Sequence, residues 1–286
     1  MTRLGGQAVI EGVMLTDGQH TVLAVRTPQG GIQVEPLQAG ARFPRLERVP
    51  FVRGPVKLYQ LLVQGWAALQ RSAAIAYPEE APKESGWELW LMIGLLFVVV
   101  VGGFMVLPMY LASLLPVRQR VLYSLIEGGI RVVLFVLYIA AISLLRDVRR
   151  VFQYHGAEHK VVHAFEEGEG SLERARGQSP VHPRCGSSFV LLFLVVAVLV
   201  FSLVPTGSLA LRLASRIVLI PVVAGVTYEI LQYAGRHPRA WWLRPLVFPG
   251  LLLQRLTTRE PSTDQLEVAL AALHQVVAER NLSTSS

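Results

Sequence analysis

The reactive side chains of this sequence cluster in the stretch Tyr154-His155-Gly156-Ala157-Glu158-His159-Lys160 and just after it. Two histidines stand four residues apart with a glutamate between them. On a helix, His155 and His159 share one face a turn apart, and His163 follows on the same stripe. Two imidazoles so placed can ligate one cation through ring nitrogens. The string His-x-x-Glu-His is the inverted form of the zinc-peptidase signature. In that chemistry the metal acidifies a bound water and the glutamate takes its proton, so Glu158 is the expected general base. The expected cofactor is a divalent metal, zinc before others.

The remaining ligands stay open. His182-Pro183-Arg184-Cys185-Gly186 adds a histidine and the single cysteine of the chain, both donor types that zinc favours. Glu229 is a distant carboxylate of the kind inverted zinc peptidases use as a third ligand. Each has a plainer reading. Cys185 is a small residue suited to burial, and Glu229 can pair with Arg150 or Arg236. His163, beside the acidic run Glu166, Glu167 and Glu169, reads as a surface histidine.

The elements that must position these residues are set by composition. The chain has 286 residues, 52% of them hydrophobic and only 16% charged, against about 25% charged in soluble domains; mean hydropathy is +0.44. This points to an α-helical membrane protein. Four apolar runs read as spans: Leu89–Leu115 (kinked at Pro108, with Trp87 and Trp90 at its start), Leu122–Leu145, Ser188–Val204 and Leu213–Tyr233. Glu127 and Arg131 fall four apart in the second, as a neutralised pair near the outer end or as the lining of a polar path.

Charge gives the orientation. Arg42, Arg45, Arg48, Arg53 and Lys57 precede the first span, Arg146, Arg149 and Arg150 follow the second, and Arg236, Arg239 and Arg244 follow the fourth. The outer turns carry fewer: Arg118 and Arg120, then Arg212 and Arg216. Both termini and the histidine-bearing loop are therefore expected in the cytoplasm, in a multi-pass protein of the inner membrane. The net charge of +7 fits basic segments meeting anionic lipid, and no nucleic-acid motif accompanies it. One cysteine excludes an internal disulfide. Met1 to Gly12 lacks a signal-peptide core, so no cleavage is expected there.

The chain thus divides into an N-terminal β-rich region (1–54), an amphipathic helix and linker (55–86), spans one and two (87–145), the His/Glu/Cys loop (146–187), spans three and four (188–235) and a C-terminal segment with an amphipathic helix (236–286). Residues 7–37 read as a small meander in three β-rich runs with turns at Asp17-Gly18 and Gln29-Gly30-Gly31. Glu11 within it is either an outward strand residue or a functional carboxylate. From Val56 to Tyr77 a helix with Leu58, Leu61, Leu62, Trp66 and Leu69 on one side either lies on the membrane or packs on the strands. Leu246–Leu256 reads as an interfacial segment, and 264–280 as an amphipathic helix.

Four motifs carry a resemblance: Gly5-Gly6-Gln7-Ala8-Val9-Ile10-Glu11-Gly12-Val13-Met14, the Tyr154–Lys160 stretch, His182–Gly186, and Thr257-Thr258-Arg259-Glu260-Pro261. Together they resemble the DUF1385, or YqhQ-like, family of bacterial multi-pass membrane proteins. The family's function is not established. Its label as metal-dependent enzymes implies a role for the same histidines. Leu15-Thr16-Asp17-Gly18 departs from the methionine, arginine, glycine and proline that the resemblance leads one to expect after Met14, and Ser187 stands in place of a threonine.

Two functions compete. One is a membrane-embedded hydrolase, a peptidase or amidase, with a cytoplasm-facing metal site. The other is an accessory protein whose soluble parts form a platform for membrane-insertion machinery or a ribosome, the histidines and Cys185 being structural. Three protein ligands plus water favour the first, and a closed four-ligand site the second. Transport, resting on Glu127, Arg131 and Glu229, ranks last and requires a homo-oligomer. The substrate is not named by the sequence.

Overall fold

The computed structural model describes residues 4–38, 43–79, 101–182, 185–204, 208–237 and 244–285, with isolated positions at 91, 94, 95, 98, 99 and 240. Strands β1 (Gly5–Val9), β2 (Gly12–Thr16), β3 (Thr21–Arg26) and β4 (Ile32–Pro36) pair antiparallel in chain order. The meander has four strands rather than three, because the chain reverses between Val9 and Gly12, which face each other across β1 and β2. Glu11 is the pivot: its φ of 52° lies in the left-handed region usually left to Gly or Asn. It is thus a turn residue, not an outward strand residue. Gly12 is required beside it, since a Cβ there would come within 2.2 Å of the Ala24 carbonyl oxygen.

Alternation with period two divides the strand residues between faces. Val13, Leu15, Val22 and Ala24 pack with Tyr154, Ala157 and Val161 of one helix and Leu266, Ala269 and Leu273 of another. Met14, Leu23 and Val25 meet Ala68, Ile75 and Ala76 of a third. The sheet is covered on both faces, which explains why β2 and β3 are nearly all apolar. The first two helices are α4 (Arg146–Glu166) and α9 (Thr263–Ser285). The third is α1 (Arg53–Ala76), with Pro55 in its first turn.

Of the two readings open for α1, packing on the strands holds along its C-terminal half. Its N-terminal half lies against a membrane-type helix, where a Cβ on Gly54 would come 2.6 Å from the Ala224 oxygen. Tyr59, Leu62 and Trp66 remain exposed on its outer side.

Two helices are long and apolar enough to cross a bilayer among the described residues: Val121–Ile142 within α3 (Arg120–Ile142), and Ala214–Arg236 within α7 (Leu209–Arg236). Only 17% and 28% of those windows are buried, so both present apolar surface outward, unlike the core helix of a soluble protein. The sequence leads one to expect four spans, and two are found among the described residues. Most of the stretch 89–100 lies outside them. From residue 102 the chain forms a π-helical turn, Gly102–Val106, and enters α2 (Leu107–Ser113). Pro108 in the first turn of α2 removes an i→i−4 hydrogen bond there. α6 (Gly186–Ser202) carries no charged residue but has 17 residues, about 25 Å of helix against about 30 Å of hydrocarbon.

These helices pack together. Leu192, Val196 and Ala197 of α6 bury Val223 of α7, and Gly128 of α3 leaves room for Val198. Glu127 accepts from Arg131 Nη2 at 2.5 Å and from Arg216 Nη2 at 2.7 and 2.8 Å. Arg131 Nε donates to the Phe104 oxygen at 2.7 Å. The expected pair is thus a buried Arg–Glu–Arg triad linking three apolar segments. α5 (Leu172–Arg176) and α8 (Arg244–Thr257) complete the chain around the histidine loop.

Candidate metal centre

α4 carries most of the cluster. It contains no proline, starts with Asp147 in its first turn and ends with His163 in its last, as the helix dipole favours. Gly168 (φ 93°) stops it. The Gly168 N–H donates to the Phe165 oxygen and the Glu169 N–H to the Ala164 oxygen, each at 3.0 Å, which is a Schellman closure.

Three neighbours clamp the helix. From the sheet, the Glu11 carboxylate takes both Nε and Nη2 of Arg150, and accepts from the Tyr154 hydroxyl at 3.3 Å. Burial and the charge of Glu11 hold that hydroxyl protonated well above its usual range. Gly6 of β1 lies against Glu158: a Cβ there would come within 2.8 Å of its Cγ and Oε1. On the other side runs the strap after α8. The Arg259 N–H donates to the Phe152 oxygen at 2.9 Å, and a Cβ on Gly156 would stand 2.0 Å from the Arg259 oxygen. The buried Lys160 donates to the Arg176 oxygen at 3.0 Å and to Glu260 of the strap.

Within this clamp the rings of His155, His159, His182 and His163 form a row. Successive centroids are 4.4, 5.7 and 4.3 Å apart. Three of the rings have one nitrogen committed to a backbone carbonyl. His155 Nδ1 lies 2.8 Å from the Thr257 oxygen, His159 Nδ1 2.6 Å from the Pro180 oxygen and His163 Nε2 3.1 Å from the Val181 oxygen. A carbonyl only accepts, so these nitrogens carry the proton. In the neutral ring, the form that binds a metal, the lone pair is then on Nε2 of His155, Nε2 of His159 and Nδ1 of His163. This is the outer-shell arrangement that fixes tautomer and ring angle in metal-binding histidines.

The donors divide into two sets, His155–His159–Cys185 and His163–Glu166–His182, each with ligand atoms within 4.8 Å of one another. Tetrahedral zinc holds such atoms about 3.3–3.8 Å apart. His155 Nε2 and Cys185 Sγ, at 3.2 Å, already approach that spacing. Glu158 Oε2 lies 3.4 Å from His159 Nε2. Burial pushes the Glu158 carboxyl up to about 7, with His155 pulling the other way.

Of the residues the sequence singles out, His155, His159, Cys185 and Glu158 come together. His182, three residues before Cys185, turns instead to His163 and Glu166. Glu229 belongs to neither set. Its carboxylate accepts from Arg53 Nε at 2.7 Å, Arg53 Nη2 at 2.5 Å and the Phe51 N–H at 3.1 Å. Glu229 is thus half of an ion pair joining α7 to α1.

Sequence reasoning missed three participants. His163 reads as a surface residue although it continues the i, i+4 stripe. Glu166 follows it by three residues. Gln254 is the third: fully buried, it accepts from the His182 N–H at 2.8 Å and donates to the His182 oxygen at 2.9 Å. Its one signal is an uncharged polar residue directly after the apolar run Leu251-Leu252-Leu253.

The family model described as a protein of unknown function (DUF1385) matches residues 49–279. A relative from Bacillus subtilis (strain 168), the uncharacterized protein YqhQ, is 36% identical over 301 aligned positions, which take in 98% of this chain and 93% of the relative. No solved structure matches the chain.

Proposed function

The chain belongs to the DUF1385 family, and from that premise we propose that it is a membrane-embedded, metal-dependent hydrolase whose site faces the cytoplasm. The observation that carries this reading is the pair of lone pairs on His155 and His159, set by the carbonyls of Thr257 and Pro180, beside Cys185 Sγ. Two imidazoles and a thiolate are zinc ligands, and three protein ligands leave a fourth position for water. Bound zinc supplies acidity to that water. Glu158 is within reach to accept the proton, held in place by the close approach of Gly6. Its burial keeps bulk water from competing.

The shared core supports the placement. β2, β3, α4 and α9 pack around one set of buried side chains, so residues 4–38, 146–182 and 263–285 occupy one side of any bilayer. An even number of crossings must then separate α1 from α4, and α4 from α9. Val121–Ile142 and Ala214–Arg236 each need a return partner, which the segment ending in α2 and helix α6 supply, giving four spans. Arg146, Arg149, Arg150 and Arg236 cluster at the ends nearest the core and orient it inward. On that side the exposed Tyr59, Leu62 and Trp66 of α1 suit the headgroup layer.

The test uses full-length protein in detergent, stripped with chelator and loaded with Co2+. A thiolate-to-cobalt charge-transfer band is expected, absent from His155→Ala and Cys185→Ser. Glu158→Gln should keep the band while the zinc form loses hydrolysis of p-nitrophenyl acetate. No band in the wild type overturns the reading.

A further inference from the structure

Hydrolysis at the Cys185 set leaves half of the histidine row unused. His163, Glu166 and His182 bring three ligand atoms within 4.8 Å of one another, next to the set that includes Cys185. We propose that they hold a second divalent cation, making the row a two-cation centre. The proposal takes the first site as its neighbour and so rests on the hydrolase reading, but its donors are separate.

Three observations support it. His163 and Glu166 are three apart at the end of α4, on adjoining positions of one face. The Val181 oxygen fixes the proton of His163 on Nε2, so Nδ1 is the donor. The two-sided hold of Gln254 on the His182 backbone sets that ring 4.3 Å from the His163 ring and its Nε2 3.5 Å from Glu166 Oε2. A simple His182–Glu166 ion pair accounts for the last contact, but it does not account for the His163 ring packed 4.3 Å from that of His182 within the same group of donors.

The donor set also differs in kind from the first. Two imidazoles and a carboxylate, with no thiolate, accept zinc, manganese or ferrous iron and leave coordination positions open. Glu166 lines a groove of about 600 Å³ together with Phe165, Leu273, His274 and Arg280. That is within the range of small-molecule sites, so a cation on Glu166 would face space for a substrate group. Two cations in adjoining sites can hold both the attacking and the leaving oxygen of a hydrolytic step.

The decisive experiment is metal stoichiometry on full-length protein in detergent, titrated with Co2+ after chelator treatment and desalted. The wild type is expected to retain two equivalents. Glu166→Gln, and independently His163→Asn, should each retain one with the thiolate band intact. Cys185→Ser should retain one without the band. A wild type holding one equivalent with the band, or two equivalents persisting in both Glu166→Gln and His163→Asn, overturns the second site and leaves the first standing. No bound cobalt at all removes both.

Discussion

Gly156→Ala is the sharpest test of how the site is held. The residue lies inside α4, where alanine is normally the better helix former by about 1 kcal/mol. Here the new Cβ would stand 2.0 Å from the Arg259 carbonyl oxygen. That atom is backbone, so the strap must move by about 1 Å or more to reach ordinary contact. Overpacking of this kind costs about 1–3 kcal/mol. The same movement pulls on the Arg259–Phe152 bond at 2.9 Å and the His155–Thr257 bond at 2.8 Å, each contributing about 1 kcal/mol. Set against the gain in propensity, a net loss of about 2–4 kcal/mol is expected. Because His155 loses the acceptor that fixes its tautomer, affinity for the cation at the Cys185 set should fall about 10–100-fold. Thermal melting of the metal-free protein in detergent reads the first quantity, and chelator competition with zinc reads the second. Gly129→Ala, at a helical glycine with nothing within 4 Å of the added carbon, is the control and should melt no lower than wild type. A Gly156→Ala protein that melts and binds like wild type would refute the close approach of strap and helix.

The ion pairs lead to two further outcomes. Glu229→Gln should leave the cation content unchanged, because Arg53 and the Phe51 N–H hold that carboxylate; a lost equivalent would restore it as a ligand. Glu127→Ala should destabilise the protein by about 3–5 kcal/mol, since it strands Arg131 and Arg216 in a buried setting. Melting in detergent measures this, and a triple change that also replaces both arginines by methionine should recover most of the loss.

The part of the site legible in the sequence is the part that one helix builds by itself. His155, Glu158 and His159 need only the 3.6-residue period to be placed. Cys185 is legible as chemistry, but its contact with His155 crosses 30 positions and comes from the fold. His182 shows the limit most clearly. It lies three residues before Cys185, yet Gln254, 72 positions away, turns it to the other donor set. Glu229 reads from sequence as a carboxylate needing a use or a partner. The partner, Arg53, lies 176 positions off, while Arg150, one of the two partners expected, is taken by Glu11. The missed reversal at Ile10-Glu11 has a local cause: neither residue is of the type that marks a tight turn.

The protons of three imidazoles are set by oxygens that α4 does not own. Pro180 and Val181 precede one apolar helix and Thr257 ends α8, so the donors are aimed only when the loop and the strap both close on α4. The chain between them runs through α6 and α7, and closure therefore depends on the packing of Val196 and Val223 and of the Glu127 triad. A cation that binds only the closed form adds to its stability by mass action, about 2.7 kcal/mol at a hundred times its dissociation constant. That is comparable to what Gly156→Ala is expected to remove. Melting with zinc would then conceal much of the strap's displacement, and melting with chelator would expose it. The gap between the two conditions isolates the free energy of closing the loop and strap around the histidines from that of the rest of the fold.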